Sequence, residues 1–111
     1  KFFFDNVRVP SDLCRKNNPD LKEPLWNINR DTLRRLKEIS VKYGRTLTQL
    51  VLNWTFNREG ITSVIVGARR VGQIEENAGS TDFEISREDM VMIEELLRER
   101  EVKISNKGQF L

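Results

Sequence analysis

With 111 residues, 38% hydrophobic and 32% charged, the chain has room for one domain with a modest core and is too apolar for a disordered polymer. Nineteen basic residues against seventeen acidic leave a net charge of +2, too balanced to argue for nucleic acid by bulk electrostatics. The absence of histidine excludes a histidine base, a histidine metal ligand and any Ser/His or Cys/His nucleophile, and the lone Cys14 excludes an internal disulfide.

Residues 1–28 hold all three prolines (Pro10, Pro19, Pro24), Asn17-Asn18 and scattered charges, with no period of two or 3.6. They read as a long irregular segment whose aromatics, Phe2, Phe3, Phe4 and Trp26, pack on something. The chain opens at Lys1 without a methionine, and the expectation is a piece of something longer. No apolar run approaches the length of a membrane span, and a reducing, cytoplasmic setting is expected.

From Asp31 to Tyr43, Leu33, Leu36, Ile39 and Tyr43 recur at helical spacing, with Gly44 as a left-handed cap. Tyr43 closes that amphipathic helix and Lys42 reads as a solvated flank. Thr46-Leu47-Thr48-Gln49 has the form of a capping box, opening a helix whose apolar face is Leu47, Leu50, Val51 and Trp54. Gly60 breaks the chain before Ile61–Val66, a β-branched run expected to be a short parallel-type strand covered on both faces. A third helix follows from Val71 to Ala78, with Val71, Ile74 and Ala78 inward and Gly79 ending it. Phe83 and Ile85 should dock on the body. Ser86-Arg87-Glu88-Asp89 then starts a helix to about Arg100, with Met90, Ile93, Leu96 and Leu97 inward. The tail, 102–111, has a turn expected at Asn106-Lys107-Gly108 and no period.

The strand-to-helix junction is the candidate site. Gly67 and Ala68 leave main-chain amides uncovered at a helix start, and Arg69 adds a guanidinium, which together suit a phosphate. Gln73, Glu76 and Asn77 share one face of the helix that follows. Arg70 reads as a surface charge. One strand cannot make a sheet, so the run must pair with another copy or belong to a larger parallel sheet.

Three segments, Leu-Thr-Gln-Leu-Val-Leu-Asn-Trp (47–54), Ile-Thr-Ser-Val-Ile-Val-Gly-Ala-Arg (61–69) and Gln-Ile-Glu-Glu-Asn (73–77), closely resemble the C-terminal part of aldo-keto reductases. The branch is the one holding general-stress-type reductases and potassium-channel beta subunits. The resemblance implies an α/β fold: the C-terminal segment of a TIM (β/α)8 barrel, mostly helical in isolation with one short strand. Residues 1–28 would be a cover loop, 29–101 the helices and last barrel strand, and 102–111 a tail. It also implies NADP(H) as cofactor, with Gly67 and Ala68 at the phosphate and Arg69 gripping the adenosine 2′-phosphate. Gln73 would donate to the same group, and Glu76 and Asn77 would meet the adenine edge. The complete protein would reduce aldehydes or ketones, but the family's catalytic tyrosine, lysine, aspartate and histidine lie on earlier strands. This chain alone is expected to be inactive and to need no metal, nucleic acid or membrane. Two alternatives compete: a self-associating helical fragment, and a binding module loosely resembling a helix-turn-helix, against which the β-branched 61–66 run and the small net charge argue.

Overall fold

Asn18 sits near the start of residues 17–108, the part of the chain that the computed structural model describes. Its side chain accepts the Asp20 N–H at 2.9 Å and caps a 3-10 turn over Pro19–Leu21. Four α-helices follow: α1 (Leu25–Lys42), α2 (Leu47–Phe56), α3 (Val71–Ala78) and α4 (Arg87–Gly108). None is long and apolar enough to cross a membrane. They fall into two compact units, residues 37–92 and the flanking stretches up to Leu36 and from Ile93.

In the flanking unit, Thr32, Leu36, Ile93 and Leu96 are buried. Polar side chains frame them: Asn29 donates to the Asp20 carbonyl at 2.8 Å and accepts from Arg100 at 2.6 Å. Arg35 meets Glu99 at 2.8 Å, and Lys103 reaches the same carboxylate at 3.2 Å. Arg35, and then Lys103, hold the Glu99 carboxyl below its ordinary range. Residues 25–28, expected to be irregular, form the first turn of α1. Thr32 interrupts the apolar period there, yet its hydroxyl donates to the Ile28 carbonyl at 3.1 Å, so a polar residue occupies a buried helix position. The expected turn over Asn106-Lys107-Gly108 is also absent, since α4 continues through Gly108. Its last two turns bury little and include several weak helix formers, Val102, Ser105, Asn106 and Gly108; the Glu99–Lys103 pair at i, i+4 supports their beginning.

In the central unit, Leu50 and Asn53 of α2 are each 1% exposed, and Ile39, Ser40, Ser80, Ile85 and Asp89 complete the interior. The capping box is formed in full: Thr46 accepts from the Gln49 N–H, and the Gln49 side chain accepts from the Thr46 N–H. Gly44 takes the left-handed φ of 64° that the α1–α2 turn requires. Phe83 packs its ring 5.9 Å from that of Tyr43, under the Arg45 guanidinium at 5.1 Å.

Two expectations fail in this unit. Residues 61–68 form no strand; they run as irregular backbone, with Ile65 99% exposed. No other strand occurs among the described residues, and a β-branched run without a ladder partner has nothing to fix it as one. Second, α3 faces the opposite way from its apolar pattern. Val71 is 72% and Ile74 59% exposed and Ala78 is exposed, whereas Gln73, Glu76 and Asn77 are half-buried. The cause lies on α2, which packs on α3 and meets the carbonyl end of that helix with a polar stripe.

Candidate nucleotide-phosphate site

Helix α3 begins at Val71 with Arg70 as its N-cap in extended conformation, and no side chain caps its first turn. The Gln73 N–H donates to the Arg70 carbonyl at 3.0 Å, and the helix start carries the positive end of the dipole. The approach to it is held by α3 itself. The Gln73 side chain accepts the Arg69 N–H at 2.6 Å, and Asn77 donates to the Gly67 carbonyl at 3.3 Å. The 67–69 loop is thus tied at both ends to residues four and ten positions later, while Gly67, Ala68, Arg69 and Arg70 stay exposed.

Gly67 has an ordinary φ and nothing within 4 Å of where a Cβ would stand. Neither the backbone nor the packing of this chain demands a glycine there.

The structure brings Gly67, Arg69, Gln73 and Asn77 together by hydrogen bonds and leaves Ala68 exposed between them, while Glu76 lies in the last turn of α3 and takes no part in those bonds. It gives two of them a use that the spacing alone does not reveal. Gln73 and Asn77 act on the loop backbone, and the Glu76 backbone carbonyl is itself held, accepting from Gln49 at 2.9 Å. A cavity of about 300 Å³ lies beside Asn77, lined by Leu52, Phe56, Ser63, Val66 and Thr81.

Sequence reasoning missed the stripe that mounts α3. Arg45, Gln49 and Asn53 are spaced by four residues and each takes carbonyls just beyond or within its last turn. Arg45 donates to the Gly79 carbonyl at 3.3 Å and pairs with Asp82 at 2.8 Å. Asn53 donates to the carbonyls of Ser80 at 2.9 Å and Phe83 at 2.7 Å. The signal was present as Gln49 and Asn53, polar residues four apart on a helix read only for its apolar face, with Arg45 four residues earlier just before its cap.

A second polar cluster belongs to the scaffold. The Asp89 carboxylate accepts from the Tyr43 hydroxyl and from Lys42 Nζ at 2.9 and 3.1 Å, and the Tyr43 hydroxyl accepts the Ser86 N–H at 2.9 Å. The Ser86 hydroxyl caps α4 by accepting the Asp89 N–H at 3.2 Å. Tyr43, and then Lys42, hold the Asp89 carboxyl below its ordinary range, and Asp89 in return raises Lys42. Lys42 is solvated, as its place on the helix flank suggested, and is also a partner of Asp89. Tyr43, Ser86 and Asp89 thus bond one another and the start of α4, and Lys42 joins them through Asp89.

The model of the Aldo/keto reductase family matches residues 2–98. The chain belongs to the aldo/keto reductase family. It is 32% identical over 81 residues to an L-glyceraldehyde 3-phosphate reductase of Escherichia coli O157:H7, covering 72% of this chain and 23% of that protein. An NADP-dependent D-sorbitol-6-phosphate dehydrogenase of Malus domestica is 29% identical over 72 residues, 65% of this chain and 23% of that protein. A probable voltage-gated potassium channel subunit beta of Arabidopsis thaliana is 42% identical over 55 residues, 47% of this chain and 17% of that protein. The chain thus spans less than a quarter of the length of these relatives. No solved structure matches it.

Proposed function

We propose that these residues form the adenosine-phosphate end of an NADP(H) site. In the complete protein, a (β/α)8 barrel, that cofactor would deliver hydride to an aldehyde or ketone. The observation that carries this reading is the loop at the start of α3: its backbone is tied down by Gln73 and Asn77 while Arg69 is left exposed beside a glycine the fold does not need. A planar guanidinium next to uncapped amides suits the 2′-phosphate that distinguishes NADP from NAD, through two parallel charged hydrogen bonds. Glu76 and Asn77, one turn along, offer an acceptor and an amide to the adenine edge. The Malus relative's name, which specifies NADP, agrees with this choice of cofactor.

Titration of the 111-residue chain with NADP+ and NAD+, followed by NMR, tests the reading. NADP+ should bind weakly, since only one end of the site is present, and about ten-fold more tightly than NAD+, the worth of one charge-assisted contact. Arg69→Ala should erase the difference while leaving NAD+ unchanged. Equal affinities in the unaltered chain would remove the role given to Arg69. Carbonyl turnover is not expected from these residues alone, and NADPH oxidation with an aldehyde panel measures that directly.

A further inference from the structure

We propose that Gln49 is a positioning residue of this site, its carboxamide seating the helix that carries Gln73, Glu76 and Asn77; the inference rests on the function proposed above. Both ends of the amide are engaged. Oε1 accepts the Thr46 N–H at 3.1 Å, and Nε2 donates to the Glu76 carbonyl at 2.9 Å. One side chain therefore closes the start of α2 and holds the last turn of α3. From Glu76 the path to the phosphate loop is short: Asn77, the next residue, grips the Gly67 carbonyl, and Gln73, one turn earlier, accepts the Arg69 N–H.

Gly79 supplies an independent observation. It ends α3 at φ −68° and ψ −1°, an ordinary right-handed conformation that asks for no glycine. A Cβ at Gly79 would nevertheless stand 2.5 Å from Gln49 Nε2. The glycine is there to admit the amide. Because Nε2 is the far end of a flexible side chain, an alanine would push it aside and break the Glu76 contact without disturbing the backbone.

Two substitutions test the assignment from opposite sides. Gln49→Glu keeps the oxygen that Thr46 uses, and hence the capping box, but sets an acceptor against the Glu76 carbonyl. Gly79→Ala displaces the same amide while leaving residue 49 unaltered. Amide hydrogen exchange and NADP+ titration are read by NMR on the whole 111-residue chain. Each variant should speed exchange of the Arg69 amide and weaken NADP+ binding by about five-fold, the size of one neutral hydrogen bond, with the amides of α2 still protected. The double variant should be no worse than either single one, because both remove the same contact. Unchanged exchange at Arg69 in Gln49→Glu overturns the proposal whatever the nucleotide does. Faster exchange with undiminished affinity also overturns it and leaves the proposed function standing, as does an additive double variant. If the unaltered chain binds no NADP+, the function and this role fall together.

Discussion

The hydroxyl of Tyr43 donates to the carboxylate of Asp89, whose side chain is only 3% exposed, so the end of α1 and the start of α4 share one buried charge. The folded carboxyl titrates below its ordinary value, first because of Tyr43 and then because of Lys42. A depressed carboxyl contributes stability that is complete above the unfolded value of about 3.9 and is lost as pH falls through the lower folded value. Tyr43→Phe removes the largest cause and leaves the Ser86 N–H without its acceptor, costing about 1–3 kcal/mol near neutral pH. The acid decline in thermal midpoint should still begin near the unfolded value, but be shallower and finish at a higher pH than in the unaltered chain. Lys42→Met should shift it less, since that ammonium group is 62% exposed. Thermal midpoints measured across the acid range for the three proteins check this, and parallel curves would contradict it.

Asn53 carries the largest structural burden among the polar side chains of α2. It is 1% exposed and is the donor for two carbonyls, those of Ser80 and Phe83, on the link between α3 and α4. Asn53→Leu keeps the branched shape, with more bulk, but leaves both carbonyls without their donor, a loss of about 2–4 kcal/mol. Denaturant unfolding should show a lower midpoint with an unchanged slope. A leucine variant as stable as the parent would mean that water replaces the amide.

What was legible in the sequence follows a physical division. Local signals were read well: the Thr46–Gln49 box, the left-handed Gly44, the bounds of α3 and the burial of Leu36, Ile39, Ile93 and Leu96 depend on neighbours a few residues away. Features that depend on partners elsewhere were not. The run Ile61–Val66 has strand chemistry, but a strand exists only through its ladder. The facing of α3 was misjudged because apolarity was taken to mark the buried side, whereas Gln49 and Asn53 bind main-chain carbonyls and draw in the polar side. The six proposed site positions lie within eleven consecutive residues, and the bonds of Gln73 and Asn77 to the 67–69 backbone could not be read from their spacing.

Gly67 allows stability and binding to be moved in opposite directions. Alanine there meets no atom within 4 Å and no forbidden φ. By narrowing the unfolded ensemble, Gly67→Ala should stabilise the chain by about 0.4–1 kcal/mol. A methyl group beside the loop amides should at the same time obstruct a phosphate and weaken NADP+. Thermal unfolding and NADP+ titration of the same preparation would show the two effects together. A variant that binds NADP+ as well as the parent would leave the glycine without the role assigned to it.

The side chains that α3 and the preceding segment leave outside form the last prediction. Ile65 is 99%, Val71 72% and Ile74 59% exposed, and Ile61 and Val66 are exposed as well. Five exposed β-branched residues between positions 61 and 74 are costly in water at about 25 cal/mol per Å² of apolar area, and burying them by association would recover that cost. The 111-residue chain should therefore associate as its concentration rises. Replacing Ile65 and Ile74 with lysine should restore a monomer without lowering the thermal midpoint, because neither side chain is buried. Sedimentation equilibrium over a wide concentration range distinguishes the cases. A parent chain that stays monomeric throughout, or a double-lysine variant that unfolds, would each contradict the exposure on which the expectation rests.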